Sequence, residues 1–381
     1  EAGRATAVTA VPDAGRIFCM SDLHTDHKQN LEWCRALIEG GQYTCDVLIV
    51  AGDITSKNVI LRETLQLLKR AFGDVFFIPG NHDLWVKGGG DIRTRPIDSI
   101  ERLHEIIELC AQLGVRTSPG YSTGAIIAPI FSWYHSSFDT EPEIIGWEGI
   151  PGSKQVLNDY FLCVWPAPLS SEDDSVARRF DTMNDVDVAL AERIALLRAA
   201  HPEAPLLTFS HFVPRPELTP EKRFLFFPPL AKAVGSRLLG ERIRHLQPAV
   251  HVFGHTHFGW DMTLDDVRYL QAPLAYPSER DGRLGTVAIH DFPHEMPPTP
   301  LLVYDAMRRS FPPRYDAGWS NYYARYPRRS DLCHLVAPYV ATQYRCVEGV
   351  GESGWLNHDD NPDGDADGEP KPAWCLGPIS A

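Results

Sequence analysis

The sequence predicts an α/β fold in which helices cover mixed β-sheets. Short apolar runs of strand length alternate with longer stretches whose apolar residues recur at helical spacing. Several of the short runs contain no polar residue, which is typical of strands buried on both faces of a sheet. Layers of helices packed on sheets bury such elements.

The first strand is predicted at 16–20 (RIFCM), the second at 46–52 (DVLIVAG) and the third in the run VFFIPG at 75–80. A helix between the first two is predicted because four apolar side chains share one face, namely Leu31, Cys34, Leu37 and Ile38. A second helix is predicted over 57–72. Asp98 and Glu101 have the spacing of a capping box for a third helix, which Gly114 ends.

Later strands are predicted at 125–133, 205–212, 249–255 and 285–291. Together these elements predict one domain over 16–292. Residues 133–184 are rich in Trp, Pro and acidic groups, which predicts an insertion that could serve as a lid. Residues 293–381 are predicted to form a C-terminal extension ending in a flexible acidic tail.

Composition narrows the classes of partner. The 381 residues carry a net charge of −14, which disfavours binding to nucleic acid phosphates. No apolar stretch is long enough to span a bilayer, so we expect no membrane partner. Eight cysteines without a C-x-x-C pair favour reduced thiols and a cytoplasmic location, although the first residue, Glu1, leaves a removed leader open.

Side chains that bind metals follow the predicted strands. They are Asp22 and His24, Asp53, Asn81, His211, and His255 with His257. Because open α/β sheets gather ligand sites where parallel strands end, these side chains are expected to lie together. Three Asp or Asn oxygens and four imidazoles are too many for one metal and suit two, with one carboxylate as a bridge. Mixed oxygen and imidazole donors favour Mn, Fe or Zn over Ca.

Five blocks in this order, DLH, GDITS, GNHD, SH and GHTH, make the sequence resemble the calcineurin-like metallophosphoesterase superfamily over roughly residues 16–291. The resemblance implies a four-layer α/β/β/α sandwich with a dinuclear metal centre. It implies one metal on Asp22, His24 and His257. It implies the other on Asn81, His211 and His255, with Asp53 as the bridge.

The same resemblance implies a hydrolase that cleaves a phosphomonoester or phosphodiester of a small molecule with metal-activated hydroxide. Asn81 and His82 would contact the substrate phosphate, and His82 would protonate the leaving oxygen. The sequence departs from the pattern at Ser56, where protein phosphatases of this superfamily have the Asp that orients this histidine. This departure argues against a Ser/Thr protein phosphatase. His82 is therefore oriented by another carboxylate or acts chiefly as a phosphate ligand, and Asp83 either orients the loop backbone or partly replaces the missing carboxylate.

Longer stretches are similar to a branch of the superfamily that includes the bacterial phosphopantetheinyl hydrolases. They are SDLHTDH, PGNHDLW, APIFSWYHSSFD and VRYLQAPLAYPSER. This similarity implies, as an alternative, release of phosphopantetheine from a carrier protein, which would then be a partner. It also gives Arg280 a predicted role in substrate binding. The other alternative is a non-catalytic scaffold, for which lost ligands would be the mark, and all seven are present.

Two groups of side chains leave alternatives open. The first either lines a substrate pocket or anchors the insertion, and consists of Trp133, Tyr134, His135 and Phe138. The second consists of Arg215, Lys222 and Arg223, for which a solvated face is favoured over a phosphate clamp.

Overall fold

The computed structural model describes residues 15–87, 97–282, 299–347 and 349–353. The predicted strand at 285–291 and the predicted acidic tail lie outside these residues. No helix within the described ranges is long and apolar enough to cross a membrane.

The first sheet has four strands, β1 (Arg16–Met20), β2 (Val47–Ala51), β3 (Asp74–Ile78) and β11 (Leu301–Asp305). Their order is β11-β1-β2-β3. The first three are parallel and almost wholly buried, which confirms the strands predicted from the apolar runs. β11 pairs antiparallel with β1, so the predicted C-terminal extension supplies an edge strand of this sheet.

The second sheet has six strands in the order β4-β5-β7-β8-β10-β9. They are β4 (Gly120–Ser122), β5 (Ala125–Pro129), β7 (Leu206–Phe209), β8 (Val250–Phe253), β9 (Trp260–Leu264) and β10 (Val267–Gln271). The four inner strands are parallel, and β4 and β9 pair antiparallel at the two edges. Both sheets are therefore largely parallel, and they meet where β3 lies near β5.

Helices form the outer layers. α1 (Lys28–Ala36), α2 (Asn58–Ala71) and α3 (Ser99–Leu113) pack in sequence beside the first sheet. α6 (Ser175–Val186), α7 (Leu190–Ala200) and α8 (Arg237–Leu246) pack together beside the second, with α7 against β4 and β5. The four-layer α/β/β/α arrangement is confirmed.

The boundaries of α3 were predicted correctly. The Asp98 side chain accepts hydrogen bonds from the backbone N–H groups of Ile100 and Glu101, and the Glu101 side chain completes the capping box. Gly114 ends the helix in the left-handed conformation, with φ of 69°, which costs a glycine little.

The segment predicted as an insertion, 133–184, contains the strand β6 (Trp147–Glu148) and the short helices α4 (Ser153–Val156) and α5 (Asp159–Leu162). Most of α6 also lies in this segment, although its sequence showed little periodicity. The remaining elements are α9 (Pro277–Gly282), α10 (Gly318–Arg325), β12 (Leu335–Val336), α11 (Pro338–Ala341), β13 (Arg345–Cys346) and β14 (Glu352–Ser353).

The C-terminal extension holds the insertion in place. β13 pairs antiparallel with β6, which places Arg345 opposite Glu148. Arg328 binds Glu141 with Nη2 2.7 Å from Oε1. The two segments therefore form one structural unit beside the second sheet.

The expectation of a solvated face is wrong for Lys222 and Arg223, which are 3% and 2% exposed. Lys222 Nζ lies 2.6 Å from Asp139 Oδ2, and Arg223 Nε lies 3.3 Å from Glu221 Oε1. Both cations are buried because a carboxylate partner compensates the loss of hydration. Neither is available to clamp a phosphate.

Candidate metal centre

All seven predicted ligands converge where the strands end. One group of ligand atoms, all within 4.8 Å of one another, comes from Asp22, His24, Asp53 and His257. A second such group comes from Asp53, His211 and His255. Asn81 joins the second group, because its Oδ1 lies 2.9 Å from both His211 Nε2 and His255 Nδ1. Asp53 belongs to both groups, which is the arrangement required of a bridging carboxylate.

Five of these residues have a left-handed backbone conformation. The φ angles are 52° at Asp22, 41° at His24, 57° at Asp53, 77° at His255 and 55° at His257. Non-glycine residues rarely adopt positive φ, and each such residue costs about 1–3 kcal/mol. The fold therefore holds the ligands in conformations that the loops alone would not choose.

Two glycines allow the loops to approach one another. A Cβ on Gly52, whose φ is 85°, would lie 2.3 Å from His211 Nδ1. A Cβ on Gly80 would lie 2.2 Å from Asp53 Oδ1. Any larger residue at either position would displace a predicted ligand.

Backbone carbonyls fix the tautomers of two imidazoles. His211 Nδ1 lies 2.9 Å from the carbonyl oxygen of Ala51, and His255 Nε2 lies 2.9 Å from that of Ala233. A carbonyl only accepts hydrogen bonds, so each of these nitrogens carries the proton. His211 Nε2 and His255 Nδ1 therefore present lone pairs toward the centre, as metal ligands must.

Glu279 performs the same task for His257. Its Oε2 lies 2.6 Å from His257 Nδ1, which leaves Nε2 as the lone-pair atom. That Nε2 lies 2.9 Å from His24 Nε2 and 3.5 Å from Asp22 Oδ1. Glu279 also accepts a hydrogen bond from the backbone N–H of Tyr276, so the carboxylate is itself held in place.

The chemistry of this donor set fits metal ions. His211 Nε2, His255 Nδ1 and Asn81 Oδ1 are three lone-pair atoms, and the amide oxygen lies 2.9 Å from each nitrogen. Lone pairs at this distance repel one another unless a cation or a proton lies between them. Protonation is disfavoured, because burial, followed by the neighbouring His255, holds the pKa of His211 well below its ordinary value.

The carboxylates show the opposite shifts. Burial, followed by the charges of Asp83 and Asp22, raises the pKa of Asp53 well above its ordinary value. Burial is also the largest cause that raises the pKa of Asp22 to about 6. The imidazoles therefore stay neutral and the carboxylates resist ionisation, as expected of a buried site that lacks positive charge. Divalent cations would supply that charge.

His82 lies at the edge of the centre with its side chain 19% exposed. Its backbone N–H donates to Asp53 Oδ1 at 2.9 Å. The imidazole lies over the ring of Trp85, with ring centroids 3.7 Å apart. Its Nε2 is 3.4 Å from the hydroxyl of Tyr276 and 3.9 Å from Asp53 Oδ2. His82 therefore faces both the predicted bridge and the solvent.

Asp83 is fully buried and orients the loop backbone, one of the two alternatives that its position in the sequence left open. Oδ2 accepts hydrogen bonds from the N–H groups of Asp53 and Gly80, both at 2.9 Å. Oδ1 accepts from those of Ile54 and Thr55 at 3.0 and 2.9 Å. One carboxylate thus joins the loops after β2 and β3, and its oxygens are committed to this task.

Arg280 was predicted to bind substrate, and the structure shows it supporting a loop. Its Nη1 donates to the carbonyl oxygens of Leu274 and Ala275 at 2.7 and 2.9 Å, and its Nη2 donates to Asn30 Oδ1 at 2.9 Å. This loop carries Tyr276 to the centre. Contact of Arg280 with substrate stays a prediction.

The aromatic group at the start of the insertion anchors it. Trp133, Tyr134, His135 and Phe138 are only 3%, 6%, 6% and 1% exposed. Trp133 packs against the rings of Trp165, Phe180 and Phe212. This burial supports the alternative in which these side chains anchor the insertion, and a role in lining a substrate pocket stays a prediction.

Sequence reasoning missed three residues that support the centre, Asp159, Tyr276 and Glu279. Tyr276 and Glu279 lie in the stretch VRYLQAPLAYPSER, whose similarity to the hydrolase branch was the one available signal. Asp159 had no signal, because it reaches the centre from the insertion.

Residues 15–259 match the sequence pattern of the calcineurin-like phosphoesterase family, so the chain belongs to this family. Family and site together define a metal-dependent phosphoesterase. Over 277 residues the chain is 28% identical to the [acyl-carrier-protein] phosphodiesterase PptH of Mycobacterium tuberculosis (strain ATCC 25618 / H37Rv), covering 69% of this chain and 78% of that protein. It is also similar to the crystal structure of phosphopantetheinyl hydrolase (PptH) from Mycobacterium tuberculosis, with a TM-score of 0.51 and 26% identity over 71% of this chain and 92% of that one.

Proposed function

We propose that the chain is a dinuclear metallophosphodiesterase. Its first metal would be held by Asp22, His24 and His257. Its second would be held by Asn81, His211 and His255, with Asp53 shared between them. The observation that carries this proposal is the meeting of three lone-pair atoms at Asn81, His211 and His255, which a cation would stabilise.

Two divalent cations, when bound, supply hydroxide near neutral pH and offset the negative charge of the phosphate. The chain then has two tasks. Asp53 places the backbone of His82 through a 2.9 Å hydrogen bond. Because burial lowers the pKa of His82, the negative charge of the bound phosphate has to stabilise the imidazolium, which then donates its Nε2 proton to the leaving oxygen and becomes neutral. A histidine suits this step because an alkoxide is a poor leaving group unless it is protonated as the bond breaks.

The substrate proposed is a phosphodiester that joins phosphopantetheine to a carrier protein. Both names of the similar protein PptH, phosphodiesterase of the acyl-carrier protein and phosphopantetheinyl hydrolase, support this choice.

A cytoplasmic location belongs to the same proposal. The seven cysteines within the described residues are all free thiols. Free thiols suit a reducing compartment, where an intracellular carrier protein would also be found.

The test is hydrolysis by protein loaded with Mn, Fe or Zn. We expect release of phosphopantetheine from the loaded carrier protein, and faster cleavage of bis(p-nitrophenyl) phosphate than of p-nitrophenyl phosphate. Asp22→Ala should abolish the release of phosphopantetheine and the cleavage of the p-nitrophenyl esters. Asp26→Asn, at an exposed neighbouring position, should retain these activities. Preference for the monoester would overturn the phosphodiesterase proposal. Failure to bind metal together with failure to cleave either ester would favour the scaffold alternative.

A further inference from the structure

Asp159, at the start of α5 in the insertion, connects two residues of the centre. It is 2% exposed, and its Oδ1 accepts hydrogen bonds from Asn81 Nδ2 at 2.9 Å and from Trp85 Nε1 at 2.7 Å. We infer that Asp159 is a positioning residue. It keeps the amide oxygen of Asn81 turned toward the second metal position, and it holds the indole on which His82 lies.

The first part of this inference follows from the two ends of an amide. The oxygen of Asn81 faces His211 Nε2 and His255 Nδ1, which are lone-pair atoms because carbonyls fix the other nitrogen of each ring. Rotating the amide by half a turn would place its N–H groups against those lone pairs. The rotated form would satisfy both imidazoles without metal, so it would compete with metal binding.

Asp159 prevents that rotation. In the rotated form the amide oxygen of Asn81 would face the Asp159 carboxylate, which accepts hydrogen bonds and repels another acceptor. The carboxylate therefore favours the orientation that binds metal. Without it, the metal-free arrangement gains two hydrogen bonds, and the second metal must displace them.

The second part concerns His82. The sequence has Ser56 where protein phosphatases of the superfamily have the Asp that orients this imidazole. In the structure the imidazole lies on Trp85, with ring centroids 3.7 Å apart and planes inclined by 30°. Since Asp159 binds the indole N–H, one side chain of the insertion reaches both a predicted metal ligand and the support of the predicted acid.

The inference rests on the proposed metal centre, and Asp159→Ala and Asp159→Asn test it. Both hydrogen bonds end on one oxygen, so the amide of Asp159→Asn keeps that acceptor while Asp159→Ala loses it. Calorimetric titration of metal-free protein with Mn²⁺ should show about 10–100-fold weaker binding at one of two sites in Asp159→Ala. Binding by Asp159→Asn should stay within a few-fold of the unmodified protein. Equal losses in both variants would overturn the role of the acceptor.

A double-mutant cycle separates positioning from general support of the fold. If Asp159 acts on the metal through Asn81, adding Asp159→Ala to Asn81→Ala should weaken Mn²⁺ binding no further. An additional tenfold loss would overturn the inference. Thermal unfolding of the metal-free variants checks that they are folded. If Asp159→Ala does not fold, Asp159→Leu replaces it, because leucine fills a similar volume without a hydrogen-bond acceptor.

Trp85→Phe tests the second part, because it removes the indole N–H and keeps an aromatic ring beneath His82. We expect unchanged Mn²⁺ affinity and a lower kcat, with the larger loss for esters of poor leaving groups. Unchanged kcat for every leaving group would overturn this part. The proposed function fails if the unmodified protein binds no metal. The inference alone fails if the unmodified protein binds two ions and Asp159→Ala binds both ions as tightly as the unmodified protein does.

Discussion

Replacing Asp83 by Asn should destabilise the protein strongly, although the two side chains have nearly the same shape. Each oxygen of the Asp83 carboxylate accepts two backbone N–H groups. In Asp83→Asn an NH₂ group takes the place of one oxygen, so two buried donors lose their acceptor and face another donor. Hydrogen bonds to charged groups contribute about 1.5–3 kcal/mol each, so the expected loss is about 3–6 kcal/mol.

That loss is large beside a typical free energy of unfolding of about 5–15 kcal/mol. The assay is urea denaturation of metal-free protein at about pH 8, where the carboxylate is ionised because burial raises the pKa of Asp83 only to about 6. Asp26→Asn is the matched control at an exposed position and should change stability by less than about 0.5 kcal/mol. A loss below about 1 kcal/mol in Asp83→Asn would refute the reasoning.

Three further predictions concern metal, turnover and pH. His82→Ala should lower kcat about 10²–10⁴-fold and leave metal content unchanged by mass spectrometry, because His82 is not a proposed ligand; loss of metal would contradict its role. Asp53→Asn should weaken both metals together in the same measurement, and a full dinuclear centre in this variant would exclude the bridge. Burial lowers the pKa of His251 in the folded protein from 6.5 to about 3. Between pH 6.5 and about pH 3 the imidazole is therefore protonated only in the unfolded state, so the free energy of unfolding decreases as the pH falls below 6.5. His251 should contribute about 1.4 kcal/mol per pH unit to the slope of the free energy of unfolding against pH, so His251→Gln should reduce that slope in urea unfolding by this amount. An unchanged slope would contradict the attribution of this pH dependence to His251.

The sequence allowed prediction of the sheet strands and of the residues at their ends. Apolar runs such as DVLIVAG have one stable location in an α/β protein, inside a sheet, and the polar residues that follow must then gather at its edge. The capping box of Asp98 and Glu101 was equally local, so it could be recognised without tertiary information.

The features that were missed depend on contacts between distant segments. β11 pairs with β1 across most of the chain, and no local pattern indicates that pairing. α6 buries Val176, Phe180 and Met183 at helical spacing, but acidic residues before it hid the pattern. Asp159 and Glu279 are single carboxylates whose partners, Asn81 and His257, become neighbours only after folding.

The pairing of β11 with β1 has a practical consequence for anyone who works with part of this chain. The match to the family ends at residue 259, yet Tyr276, Glu279 and the edge strand β11 all lie beyond it. A fragment cut at that boundary would lack β9, β10 and β11, so it would leave β8 and β1 with unpaired edges and free the His257 ring to rotate. Sheet edges of this kind invite aggregation. We therefore expect fragments to remain usable only when they extend through Asp305.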